Sequence, residues 1–293
     1  MNLFALLLGL AIERLVTHLF HLREFRWLDS VFDRACEKLA GRSELAIMLG
    51  VVLLALVLAA PVALVSIALG DALFYLPAFV FAVIVLLFSL GPRDLKEEVD
   101  EYCTAVDAGD AETTRRVAKE LLEADAPDNA GERAKLVERA IFVQANNRIF
   151  GVAFWFIVLG PPGAWLFRVL DLLRRRVAYR HAESAGLDPA VRKVHALVAW
   201  IPARLLAGGY ALAGSFEDAI ADWRGYYQNC APHMFDVNND VLSCAGMGAA
   251  GRAAESVEVT PSAGARAAMS LVVRTLWLWC AVIAVLTLLN IVS

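Results

Sequence analysis

The run LAIMLGVVLLALVLAAPVALVSIAL, from Leu45 to Leu69, decides the fold class of this chain. It contains no formally charged residue. An α-helix needs about 20 predominantly apolar residues to cross the hydrocarbon core of a bilayer, and this run is longer than that. Three further runs have the same character, at 72–91, 149–167 and 275–292. Together the runs predict an all-α, polytopic helical membrane protein with about four apolar spans.

The composition supports this class and excludes others. Hydrophobic residues make up 59% of the 293 residues, charged residues only 20%, and the mean hydropathy is +0.58. A globular domain is rarely this apolar, so the lipid bilayer is the first expected partner. The net charge is −4 and no basic block stands out, so we expect no nucleic-acid partner. P-loop, GxSxG and HExxH signatures are absent, and we expect no cofactor.

Charge and apolar runs divide the chain into six regions. They are N-terminal apolar and amphipathic helices (1–43), a transmembrane helical hairpin (44–91), a helical soluble loop (92–148), broken membrane-associated segments (149–214), a charged then Gly/Ala-rich region (215–268) and a C-terminal transmembrane helix (269–293). The segments before and after the hairpin are both rich in Lys and Arg, and the hairpin places them on the same side of the membrane. This bias predicts that they are cytoplasmic. The loop would then be a cytoplasmic lid or docking surface, with Asp110 and Asn129 as the expected N-caps of two of its helices.

The third apolar run contains the sequence GPPG, Gly160–Gly163. If the run crosses the membrane fully, Arg174–Arg176 become periplasmic, which opposes the usual bias of positive charge toward the cytoplasm. If the run turns back at the prolines and glycines, these arginines stay cytoplasmic. Both routes remain open at this point, and the charge bias favours the re-entrant one.

A second interrupted run is VHALVAWIPARLLAGGYALAG, from Val194 to Gly214, with Pro202 and Arg204 near its middle. An arginine at the bilayer centre costs about 2.5–3.5 kcal/mol on insertion scales, so it needs a partner, a cavity or a route to the interface. In one interpretation Pro202 breaks the helix near the surface and Arg204 extends to the interface. In the other, Arg204 contacts an anion or a headgroup inside the helix bundle.

Two short motifs have simple explanations. GMGAAG, Gly246–Gly251, fits the dinucleotide-binding pattern GxGxxG, but nothing resembling a strand precedes it. Close helix packing through small residues is the better explanation. Cys230 and His233 are two potential metal ligands without a second pair, so we expect no metal site.

Several longer pieces resemble a known family. GPRDLKEEV, GDAETTRRVAKEL, ANNRIFGVAFWFIVLGPPGAWLFRVL, VAYR and WIPARLLA occur in the order shown by the cobinamide-phosphate synthases, CobD or CbiB. The N-terminal NLFALLLGLAIERL and the four-span layout are more similar to the sister family AmpE, inner-membrane proteins linked to β-lactamase induction. The resemblance covers residues 1–255. It implies a multi-pass protein of the bacterial inner (plasma) membrane.

The departures from the synthase pattern matter as much as the matches. The synthases carry Glu-Ser-x-Ala-Glu-Asn-x-x-Asp before the third span; the two glutamates align with Phe142 and Asn146, and the aspartate with Phe150. Their Asn-Thr-Leu-Asp-Ser aligns with 171–175, and their Asp-Asp with 195–196. Metal or acid–base chemistry needs carboxylates at fixed positions. The resemblance therefore implies a related scaffold that has lost its catalytic carboxylates, and we assign no catalytic residue.

The resemblance implies a regulatory signalling protein that modulates β-lactamase induction in response to the state of the cell wall. Its partner would be a cytoplasmic protein of that induction pathway or of cell-wall recycling. The alternatives are a membrane-bound amide- or phosphate-transferring enzyme of the cobalamin-biosynthesis type, and a lipid-binding or transport protein. The retained Arg204 would mark either an anionic ligand site or a structural pairing, with Asp171 or Glu13 as the partner. The candidate ligand-binding residues are Arg204, Pro202, Asn146, Asn147 and Asp171.

Overall fold

The computed structural model describes residues 26–70, 75–90, 94–179, 186–229, 237–251 and 261–288, and every regular element in these ranges is helical. This confirms the predicted all-α class. The helices are α1 (Arg26–Leu39), α2 (Glu44–Gly70), α3 (Tyr75–Ser89), α4 (Leu95–Ala108), α5 (Ala111–Leu122), α6 (Ala130–Ala145), a π-helical turn (Asn146–Phe150), α7 (Gly151–Leu159), α8 (Pro161–Tyr179), α9 (Asp188–Ala213), α10 (Phe216–Asn229), α11 (Asn238–Ala250) and α12 (Pro261–Leu288).

Two compact units make up the chain. The described part of the first unit consists of α1–α3, α7, α8, the portion of α9 up to Ala199, and the last residues of α12 from Ile283. The second unit consists of α4–α6, the π-helical turn, the rest of α9, and α10–α12 up to Val282. Each unit is therefore assembled from segments that are far apart in the sequence.

In the described part of the chain, four helices are long and apolar enough to cross a membrane: Glu44–Leu69, Ala130–Leu159, Asp188–Ala213 and Ser262–Val285. About four spans were predicted, but their positions differ from the prediction. The run at 72–91 yields only the shorter apolar helix Leu76–Ser89, and Asp188–Ala213 qualifies instead. The C-terminal helix was predicted over 269–293, whereas α12 already begins at Pro261 and includes Arg266.

In the first unit, α2 and α3 pack on α8, and α7 packs on α8. α2 presents many large apolar side chains outward: Leu45, Leu49, Leu53 and Leu64 are all more than 60% exposed. A soluble monomer rarely exposes a contiguous apolar surface of this kind, whereas a lipid-facing helix does. The outer face of α2 therefore fits the expected contact with the bilayer.

The third apolar run turns at Gly160. α7 ends at Leu159, and Gly160 adopts φ +70°, a left-handed conformation that glycine accepts without steric cost. α8 then begins with Pro161, whose missing N–H is not needed in the first turn of a helix. Gly163 lies so close to the backbone of Trp155 that a Cβ there would overlap it. α7 and α8 therefore pack on each other directly after the turn.

Pro202 lies inside α9, which is continuous from Asp188 to Ala213. The predicted helix break at Pro202 is therefore wrong. A proline deprives the carbonyl four residues earlier, here that of Val198, of its helical donor. The indole of Trp155 donates to the Val198 carbonyl oxygen at 3.1 Å and replaces the missing N–H. This external hydrogen bond explains how the helix continues past the proline.

Capping residues define the starts of α4, α5 and α6 in the second unit. The side chain of Asp110 accepts a hydrogen bond from the N–H of Thr113 at 3.1 Å, and that of Asn129 accepts one from Glu132 at 3.0 Å. Both predicted N-caps are confirmed. Asp94 caps α4 in the same way. These caps satisfy backbone donors that a helix start leaves unpaired, so the sequence sets the start of each helix locally.

Small residues and aromatic rings pack the helices of the second unit. Phe142 of α6 meets Tyr210 of α9 edge to face, with ring centroids 5.1 Å apart, and the Tyr210 hydroxyl donates to the Phe142 carbonyl at 3.1 Å. A Cβ on Gly246 of α11 would overlap the Phe142 ring, and one on Gly248 would lie 2.8 Å from the Asp218 carbonyl oxygen. The GMGAAG stretch thus lies at a helix–helix contact, as its small residues predicted.

Candidate functional site

The first unit contains a buried cluster of charges around Asp171 of α8. Its carboxylate accepts from Arg168 at 3.0 Å and Arg174 at 2.8 Å, and lies 3.0 Å from Nε of Arg175. Nε2 of His195, on α9, is 3.9 Å away. The three arginines stand three or four residues from Asp171, a spacing that places side chains on one face of a helix. The sequence of α8 therefore assembles most of this cluster by itself.

The ionisation of Asp171 is set by two opposing effects. The side chain is fully buried, and burial by itself would raise its pKa. The charges of Arg175, Arg174 and Arg168 outweigh that effect and hold the pKa of this carboxyl well below its usual range. Asp171 is consequently ionised at neutral pH and serves as the common anion of the cluster.

A π-helical turn directly follows α6 in the second unit. It covers Asn146–Phe150, and its first three residues are each at most 3% exposed. Short π-helical segments are rare and occur frequently at functional sites. The turn re-aims the side chains of Asn146 and Asn147, two of the predicted ligand-binding residues.

A buried network fixes this turn from one side. Arg148 donates to Glu98 of α4 at 2.8 Å and to the side-chain oxygen of Gln144 at 3.1 Å. Gln144 in turn donates to the Leu121 carbonyl at the end of α5, at 3.0 Å. The network therefore joins α4 and α5 to the π-helical turn. Sequence analysis missed it, because Glu98 is one of several acids in α4 and nothing local distinguishes the buried one.

Asn146 has an unused hydrogen-bond acceptor. Its side chain is 1% exposed, and its amide donates to the Asn147 side-chain oxygen at 3.4 Å. Nothing in the described part of the chain donates to its own Oδ1. A buried acceptor without a partner costs about 1–3 kcal/mol, so such atoms call for a ligand, a water or a catalytic role. Asn146 can accept a hydrogen bond from an N–H or O–H group that enters this part of the second unit.

Arg204 has partners within the second unit. Its guanidinium donates to the side-chain oxygen of Asn238 on α11 and lies over the indole of Trp200, 5.0 Å from the ring centroid. A cation over an aromatic face is stabilised by the ring quadrupole. Pro202, between these two α9 residues, is buried. Trp200 stands one helical turn before Arg204, a signal visible in the sequence, whereas Asn238 is too distant in sequence to be recognised.

The five predicted ligand-binding residues belong to different units. Asn146, Asn147, Pro202 and Arg204 lie in the second unit, and Asp171 lies in the first. The groups that contact Asp171 include three arginines of its own helix, and the described contacts of Arg204 are with Asn238 and Trp200. Glu13, the other predicted partner of Arg204, lies outside the described residues.

Metal ligands were not expected, and the described residues contain no group of three His, Cys, Asp or Glu side chains able to hold an ion. Cys230 and His233 lie outside the described residues. Cys103 of α4 is buried, which raises the pKa of its thiol to about 11. It donates to the Ser262 carbonyl at 3.4 Å. This cysteine therefore helps to hold the start of α12 as a protonated thiol.

Comparison with known proteins identifies the family. The family model described as regulatory signalling modulator protein AmpE matches residues 1–292. The chain belongs to the AmpE family. Protein AmpE of Shigella flexneri is 28% identical over 233 residues, which cover 76% of this chain and 78% of that protein.

The chain is also similar to a second group of proteins. The cobalamin biosynthesis protein CobD of Stutzerimonas stutzeri is 30% identical over 171 residues, and that of Chromobacterium violaceum is 28% identical over 171 residues. Each match covers 58% of this chain but only 55% and 53% of the two CobD proteins, about half their length. No solved structure matches the chain significantly. The protein is thus a multi-pass membrane protein of a regulatory family, on a scaffold related to CobD.

Proposed function

We propose that this protein is a non-catalytic regulator in the bacterial inner membrane that modulates β-lactamase induction in response to the state of the cell wall. The match to the AmpE family over nearly the whole chain supports a regulatory role. The similarity to AmpE of Shigella flexneri, over three quarters of the chain, points the same way. The role in β-lactamase induction comes from the resemblance to that family.

The observation that carries the non-catalytic part is the packing of Phe142 and Phe150. These residues stand where the synthases have a glutamate and an aspartate. Phe150 meets Trp279 edge to face at 5.3 Å, and Phe142 meets Tyr210 in the same way. Both phenylalanines are fully buried. Because these positions now fill the apolar core of the second unit, they supply no carboxylate for metal binding or proton transfer.

The Asp171 cluster supports the same interpretation from the first unit. The synthase aspartates that align with Arg174 and His195 are replaced here by groups that can carry positive charge. Both replacements lie beside Asp171, which stands where the synthases have asparagine. Mg²⁺ prefers carboxylate and carbonyl oxygens, so this exchange of anions for cations opposes metal-dependent chemistry. We infer that Asp171 stabilises the first unit and takes no part in ligand binding.

We infer a ligand site in the second unit, formed by Asn146, Asn147, Arg204 and the turn of helix α9 that contains Pro202. The unused acceptor of Asn146 supports it, as does the position of Asn146 and Asn147 in a π-helical turn. The ligand would carry a neutral N–H or O–H donor for Asn146. Its binding would be signalled to a cytoplasmic protein of the induction or cell-wall recycling pathway through α4–α6.

The test is a deletion of this gene in its host, scored for β-lactamase activity with and without a sub-inhibitory β-lactam. We expect altered induction that the wild-type gene restores and Arg204→Ala does not. Arg139→Ala, on the exposed face of α6, is the matched control and should restore it fully. The same gene is then placed in a strain that lacks cobinamide-phosphate synthase. Growth on medium that requires cobalamin synthesis would overturn the non-catalytic assignment in favour of the enzyme alternative.

A further inference from the structure

A groove runs along the exposed side of α5 in the second unit. It has a volume of about 550 Å³ and is lined by Ala111, Glu112, Arg115, Arg116 and Lys119. Three of these five residues carry positive charge and one carries negative charge. The groove is therefore a concave surface with a positive lining.

The cations of the groove are accessible and held in place by acids. The side chains of Arg115, Arg116 and Lys119 are 61%, 50% and 54% exposed. Arg116 is anchored to α4 by Glu101, at 2.5 Å, and this hydrogen bond raises its pKa above the usual value. Arg116 therefore keeps its positive charge at every physiological pH.

The other two cations are paired with acids that an incoming carboxylate can replace. Arg115 contacts Asp128 at 2.8 Å and Lys119 contacts Asp125 at 2.7 Å, and these two aspartates are 91% and 92% exposed. Exposed ion pairs contribute only about 0–1 kcal/mol, so exchanging one carboxylate for another costs little. Asp125 and Asp128 thus occupy positions that acidic groups of another molecule can take.

The surroundings of the groove favour a polypeptide over a lipid surface. The inward residues of α5, including Val117 and Leu121, are fully buried. Among the described residues, the large apolar side chains that are exposed include none from α4, α5 or α6. A helix that lies on a membrane needs such side chains to insert between lipids. We propose that the α5 groove binds an acidic segment of a partner protein.

This inference names the partner chemistry of the proposed regulatory function and rests on it. The test uses the full chain in neutral detergent and a fluorescent decaglutamate peptide, with binding followed by anisotropy. We expect binding that weakens with added salt. The double variant Arg115→Gln/Lys119→Gln should bind about tenfold more weakly. Ala111→Trp, which fills the groove without changing its charge, should weaken binding as well.

The controls separate the groove from charge in general. Lys135→Gln/Arg139→Gln removes two exposed cations of α6 outside the groove and should leave binding unchanged. Four outcomes would each overturn the proposal. They are an equal loss of binding in both double variants, no effect of Ala111→Trp, equal binding of decalysine, and preferred binding to vesicles with phosphatidylglycerol. Normal induction in the deletion strain would instead overturn the regulatory function, while leaving peptide binding to the groove intact.

Discussion

The two units bury charge in different ways. In the first unit, three guanidinium groups and one imidazole surround the single carboxylate of Asp171. In the second unit, Arg148 faces Glu98 one to one, and Gln144 bonds the remaining side of the guanidinium. A shared anion makes several cations dependent on one residue, whereas a one-to-one pair can be removed as a unit. The cluster around Asp171 therefore suits a structural role. The Glu98–Arg148 pair leaves the neutral side chain of Asn146, in the same π-helical turn as Arg148, as an acceptor.

Removing Asp171 should have the largest effect. Asp171→Leu leaves several buried cations without their common anion and should cost about 3–5 kcal/mol, or prevent folding. Thermal unfolding in detergent measures the loss, and Asp33→Ala, which removes the partly exposed partner of Arg176, should cost less than about 1 kcal/mol. The advantage of wild type should be constant from about pH 8 to 5. It should shrink below about pH 4, where the unfolded carboxyl takes up a proton and the folded one does not.

A different outcome would change the comparison. If the free energy of unfolding of Asp171→Leu lies within about 1 kcal/mol of the wild-type value, the arginines have other anions as partners, and Asp171 is not the centre of the cluster. Asp171→Asn then distinguishes charge from shape, since it keeps the size of the side chain. We expect it to be nearly as destabilising as leucine.

The Glu98–Arg148 pair should show the next largest effect. Arg148→Leu leaves Glu98 buried without its counter-charge and should cost about 3 kcal/mol, whereas the double variant Glu98→Leu/Arg148→Leu should recover most of it. A double-mutant cycle in the same unfolding assay gives the coupling energy. Additive losses would mean that the two residues stabilise α4 and the π-helical turn separately.

The hydrogen bond that bridges Pro202 should have a smaller effect. Trp155→Phe keeps most of the ring but leaves the Val198 carbonyl without a donor, at a cost of about 1–2 kcal/mol. Pro202→Ala returns a helical N–H to that carbonyl, so Trp155→Phe should cost less in that background. Trp165→Phe is the matched comparison, because the indole of Trp165 also donates to a helix carbonyl close to a proline. That carbonyl belongs to Leu58, three residues before Pro61 in α2. Equal losses with and without Pro202 would show that the tryptophan contributes only by packing.

The features that could be predicted from the sequence are local. The caps at Asp110 and Asn129, the span of α2 and the turn at Gly160 depend on residues close together in the chain. Features that depend on distant residues were missed, such as the contact of Asn238 with Arg204. The continuous α9 was missed for the same reason, because the donor that replaces the N–H of Pro202 comes from another helix.

Two further errors have specific physical causes. Arg174 and its neighbours were used as markers of topology, although their spacing from Asp171 on one helix face already allowed ion pairs. The start of α12 was predicted too late because Arg266 belongs to the charged, Gly/Ala-rich region, 215–268, that was separated from the C-terminal helix. Arg266 contacts Asp107 of α4, and this long-range pair, with the bond from Ser262 to the same aspartate, supports the added helical turns.

Asn146→Leu should have the smallest effect on stability and is the variant that separates structure from ligand binding. It removes a buried acceptor that has no described donor, together with the long hydrogen bond, 3.4 Å, from its amide to Asn147. Because these two effects oppose each other, the free energy of unfolding in detergent should change by no more than about 1 kcal/mol. Induction of β-lactamase should nevertheless be lost if Asn146 recognises a ligand. Gln144→Leu is the control, because both ends of that amide are bonded and its removal should destabilise the protein. Destabilisation of Asn146→Leu by more than about 1 kcal/mol would show that a water or a structural donor already occupies the acceptor.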